Sequence, residues 1–90
     1  MRVALICRDK TGAVQTRLDN RAAHLAYIEA TGVVEMAGPL LSDAGEMSGS
    51  LVILEVETVE AAKLWAANDP YAKAGLFADV QITAWKKVIG

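Results

Sequence analysis

The chain has 90 residues, 53% of them hydrophobic, with nine Lys and Arg against eleven Asp and Glu for a net charge of −2. That length makes one domain with a modest core, and an apolar share above the roughly 45–50% of ordinary soluble domains leaves surface for a second subunit to cover, so a homodimer is expected. Scattered basic residues exclude a nucleic-acid stripe, the absence of a long apolar run excludes a membrane span or signal peptide, and a single cysteine excludes an internal disulfide framework; the expectation is a cytoplasmic protein.

The elements follow in chain order. Residues 2–8, RVALICR, read as a strand, with Cys7 as a small buried hydrophobe and not a nucleophile. A polar Thr-Gly turn leads to a helix from about Thr16 to Thr31, ended by Gly32. Its periodicity predicts a core stripe of Leu18, Ala22, Leu25 and Glu29, with Arg21 and Ile28 beside it. Residues 33–41 form a second strand, with Pro39 favouring a sheet edge. A loop over 42–49 precedes the strand SLVILEVE at 50–57, apolar on both faces and so expected to be covered on both.

Thr58 then N-caps a helix through VEAAKLWAAN, with Glu60 complementing its dipole and Trp65 in the core. In NDPYAKAGLF, Asp69 suits the N-cap of a short second helix, Pro70 its first position and Gly75 its end. The last strand covers 78–88, with Val80, Ile82 and Ala84 alternating against Gln81, Thr83 and Trp85. The order β-α-β-β-α-β is the ferredoxin-like arrangement: a four-stranded antiparallel sheet with two helices on one face. The opposite face is left to meet the sheet of a second subunit, with Trp85 a candidate for the interface.

His24 is the only histidine and lies about 100° from the predicted stripe, on the side of Arg17, Arg21 and Ile28. An imidazole titrating near neutrality suits acid–base work or ligand binding; the plain alternative is a partly exposed histidine without a role. Arg21 lies one turn before it and faces the same way, either gripping an anionic substrate or solvated along the helix. Asp69 can cap its helix, orient the imidazole, or do both, because a carboxylate has two oxygens. One His, one buried Cys and scattered carboxylates lack metal-ligand spacing, and no phosphate-binding glycine loop or nucleophile elbow is present, so neither metal nor cofactor is implied.

The run NDPYAKAGLFADVQITAWKKV resembles the YCII-related family of small bacterial proteins, as do RAAHLAYI at 21–28, AGPLL at 37–41 and GSLVILEVET at 49–58. The resemblance spans nearly the whole chain as one domain. It implies a ferredoxin-like fold of the dimeric α+β barrel group and a His–Asp acid–base pair in a pocket, here His24 and Asp69. It further implies substrate contacts from Arg21, Ser50 and Tyr71, and a small phenolic or anionic ligand. A dehydrochlorinase acting on a chlorinated hydroxyhydroquinone resembles the family, and muconolactone isomerases share the wider fold. The expected function is cofactor-independent isomerisation or elimination on a small oxygenated compound. A non-catalytic ligand-binding or regulatory module is the alternative, and a structural dimer the blandest reading.

Overall fold

Val3, Leu5 and Cys7 alternate with Arg2, Ala4, Ile6 and Arg8, and this period of two decides which face of the sheet is buried. A computed structural model describes residues 1–90. Its elements are β1 (Arg2–Asp9), α1 (Val14–Thr31), β2 (Val34–Leu41), β3 (Met47–Glu55), α2 (Val59–Asn68), α3 (Pro70–Lys73) and β4 (Phe77–Trp85). The strands form one antiparallel sheet in the order β2-β3-β1-β4, the expected ferredoxin-like topology.

Opposite residues share a face, so the register places Val3 beside Leu54 and Ala84, and Leu5 beside Val52 and Ile82. With Cys7, Ala62 and Trp65 these form the core under the helices. Burying each Leu or Val side chain contributes roughly 1.5–3 kcal/mol. The opposite face carries Ala4, Ile6, Leu51, Ile53 and Met36, and no helix covers it. Leu51 and Met36 are 41% and 50% exposed there. Trp85, paired with Arg2, stands on the same face. No helix is long and apolar enough to cross a membrane.

The local signals at the helix ends hold. Thr58 accepts the Ala61 N–H at 3.0 Å, and Gly32 closes α1 with φ 65°. Pro39 lies in the edge strand β2. Several boundaries differ, most of all in α1, β3 and β4. α1 starts at Val14, without a capping side chain to mark it. β3 runs 47–55 instead of 50–57, because a tight turn closed by Ser42 N–H to the Glu46 carbonyl at 2.8 Å brings the hairpin together early. β4 ends at Trp85, where its pairing with Arg2 ends.

The larger correction concerns the face of α1. Leu18 and Leu25 of the predicted stripe are 46% and 51% exposed, whereas Arg17 and His24 are 3% and 6% exposed. The helix turns a polar face inward, and Tyr27, Ile28 and Thr31 complete it. Apolar periodicity misreads such a helix, because its buried groups are satisfied by partners on other elements instead of by apolar packing.

Candidate active site

Two helices must be locked together before distant side chains can meet. Tyr27 of α1 donates its hydroxyl to the Trp65 carbonyl of α2 at 2.8 Å, and the Trp65 indole N–H donates to Thr31 Oγ1 at 2.9 Å. These bonds fix α1 against the chain leading into α3. Asp69 then caps α3, its Oδ1 accepting the Tyr71 N–H at 3.0 Å. Gly75, at φ 72°, and the Leu76 N–H bond to the Tyr71 carbonyl close the far end of this short segment.

His24 Nδ1 lies 2.8 Å from the same Asp69 oxygen, and both side chains are buried. The expected pair is therefore formed, but one oxygen serves both purposes where two were available. That oxygen already accepts an amide proton, so it acts as acceptor and the ring carries its proton on Nδ1. The second ring nitrogen, Nε2, makes no hydrogen bond within the protein and is not sealed from solvent. It is the atom left for a ligand.

Tyr71 stacks on the His24 ring at 3.9 Å with 13° between planes. Its phenol is pushed above its ordinary pKa by burial, with the nearby Arg17 charge opposing the shift. The stacked ring fixes the imidazole plane, and Phe77 meets Tyr71 edge-on at 6.1 Å.

Arg17 was missed as a candidate. It lies seven residues before His24, on the same helix face. Its guanidinium makes two 2.8 Å bonds to Asp9 at the end of β1, a third of 2.9 Å to Ser50 on β3, and passes 4.8 Å from the Tyr71 ring centre. Burial disfavours the charge, but the Asp9 carboxylate outweighs that cost and the pKa rises above its ordinary value. The only hint in the sequence was its place on the His24 side of the helix. Arg21 is instead exposed and forms no ion pair.

A cavity of about 180 Å³ opens between α1 and strands β2 and β3. Arg17, Arg21, His24, Ser50 and Tyr71 line it, with Ile28, Pro39 and Val52 among the apolar walls. Of the predicted residues, His24, Arg21, Ser50 and Tyr71 thus line one cavity, and Asp69 stands behind His24. A cavity of about 150 Å³ accepts a benzene ring, so this one suits a single substituted ring. No three His, Cys, Asp or Glu side chains gather in a group able to hold a metal.

A family model described as the YCII-related domain matches residues 1–86. Protein YciI of Escherichia coli is 36% identical, with 98% of this chain and 99% of the relative covered. The structure of 5-chloro-2-hydroxyhydroquinone dehydrochlorinase from Burkholderia phenoliruptrix, in complex with 2,5-dihydroxybenzoquinone, is similar at a TM-score of 0.86 and 38% identity, covering 96% of this chain and 94% of that one. An antibiotic biosynthesis monooxygenase matches at a TM-score of 0.61 and 11% identity over 98% of both chains, a likeness of fold alone. The fold is that of the dimeric α+β barrel proteins.

Proposed function

Since this chain belongs to the YCII-related domain family, we propose that it is a cofactor-independent enzyme that moves protons on a small hydroxylated ring. The carrying observation is the buried His24–Asp69 contact of 2.8 Å beneath a cavity of about 180 Å³, with Nε2 left unpaired. His24 takes a proton from the substrate through Nε2. Asp69 holds the Nδ1–H and stabilises the imidazolium that forms. Arg21, exposed at the cavity wall, attracts an anionic or phenolate oxygen. Tyr71 keeps the imidazole plane in place. The similar dehydrochlorinase supports a hydroxyquinol as the substrate class.

The electron pair released by deprotonation moves into the ring. If an adjacent carbon carries a halide, the halide leaves, and proton and halide depart together as HX with no oxidant required. Without a leaving group the proton returns at another carbon, which is an isomerisation. The uncovered sheet face, with Leu51 and Met36 exposed, supports a homodimer formed sheet to sheet.

The test is chloride release from 5-chloro-2-hydroxyhydroquinone, together with deuterium uptake from heavy water into 2,5-dihydroxybenzoquinone. His24→Gln is expected to lower both rates by about 10²–10⁴-fold with an unchanged circular dichroism spectrum. Equal rates in wild type and variant would refute the base assignment. Tight binding of the quinone with neither reaction in the wild type would identify a binding module instead.

A further inference from the structure

The cavity is polar in its depth and apolar at its mouth. Arg17, His24, Ser50 and Tyr71 are buried, whereas Leu25, Ala37 and Pro39 line the same cavity and are exposed. Ala37 pairs with Val52 and Pro39 with Ser50, so both stand on the helix-covered face of the sheet, yet both remain open to solvent. Arg21 is the one charged side chain exposed among the lining residues.

Met47 reaches this mouth through an irregularity in β3. Leu40 pairs with Gly49, but Leu41 pairs with Met47, so β3 carries one extra residue, Ser48. Side chains of a strand alternate between faces, and unbroken alternation would turn Met47 to the uncovered face with Leu51. The bulge re-aims it to the face of Ala37, Pro39 and Leu41, where it lines the cavity. Leu41 extends the same apolar shelf and is 61% exposed. A methionine side chain is flexible and adapts to apolar groups of different shape.

One substituted ring fills a volume of about 180 Å³, so a longer ligand must leave through the mouth. A wholly polar ligand would leave Leu25, Pro39 and Met47 facing water, and an apolar group attached to the ring would remove them from it. We propose that the mouth is a second subsite, which binds a linear alkyl substituent on the ring between Leu25 of α1 and the shelf of Pro39 and Met47. This rests on the hydroxylated-ring reading above for the ring itself, and adds the substituent that the chain selects.

Titration of the visible absorbance of 2,5-dihydroxybenzoquinone and of its methyl, propyl and pentyl derivatives with protein reads the gain in affinity per methylene. The wild type is expected to gain about two- to fourfold per methylene, as for a methylene half to fully removed from water. Met47→Gln and Leu25→Gln keep the length of the side chain but present an amide to the mouth. Each is expected to flatten the dependence on chain length, with an unchanged circular dichroism spectrum. The slope is the readout, so a uniform loss of affinity for all four ligands with the slope intact overturns the proposal. A gain that persists in both variants places the alkyl chain on another apolar surface and overturns it as well. Binding of the unsubstituted quinone with no gain along the series overturns the subsite while leaving the His24 reading intact. Absence of binding of every ligand to the wild type overturns both readings together.

Discussion

Replacing Arg17 by Met tests how the polar interior of α1 is held. The substitution keeps an unbranched stem but removes two 2.8 Å bonds to Asp9, one of 2.9 Å to Ser50 and the cation beside Tyr71. Asp9 and Arg17 expose only 6% and 4% of their side chains, so water cannot replace what is lost. The intact pair contributes little net stability, because burying both charges nearly cancels their attraction. The damage comes from stranding the Asp9 carboxylate, which costs about 3–5 kcal/mol. Urea unfolding followed by fluorescence reads it, because Trp65 is buried in the core. At an m-value of about 1.5 kcal/mol/M the midpoint should fall by about 2–3 M at constant protomer concentration. Adding Asp9→Asn to Arg17→Met should recover part of the loss, with a coupling of about 2 kcal/mol or more. A midpoint shift below about 0.7 M, or a double variant as unstable as the sum of the two singles, would refute the account of a paired, desolvated arginine.

Two further outcomes are expected. Burial, assisted by the Asp69 charge, pushes the Cys7 thiol up to about 12 from an ordinary 9.0. The folded state therefore keeps a proton that the unfolded chain releases, so this stability is fully present below pH 9 and is lost as pH rises toward 12. The slope approaches 1.4 kcal/mol per pH unit at most, about 2.303RT for one proton. Urea midpoints at pH 8 and about pH 10.5 should diverge more in the wild type than in Cys7→Ala; identical divergence would show that the thiol ionises as freely in the fold as outside it. Leu51→Asp places a charge on the uncovered sheet face, where Leu51 is 41% exposed. Sedimentation should then show monomer with unchanged circular dichroism, and a persistent dimer would place the subunit contact elsewhere.

How much of the site was legible depended on how far each signal reached along the chain. Asp69 was readable as a helix cap because capping involves residues two positions apart. Its contact with His24 spans 45 residues, and no local pattern encodes such a distance. Arg17 was harder still. A buried arginine and an exposed one look alike in sequence, and only the partners at Asp9 and Ser50 distinguish them. The exposed Leu18 and Leu25 drew the predicted core to the wrong side of α1.

By itself the sequence determined the order of elements, the alternation along β1 and β4, the caps at Thr58 and Asp69, and the apolar excess that one face of the sheet leaves open. These features follow from backbone sterics, hydrogen bonds within a few residues and the two periodicities of side-chain direction. Tertiary structure alone decided which face of α1 turns inward, that one Asp69 oxygen serves both Tyr71 and His24, and that Arg17 ties the end of β1 to β3 beneath the helix. The reason is the cost of burying polarity. A charged or polar side chain enters the interior only where partners from other elements satisfy it, and those partners meet only after the sheet and helices have packed.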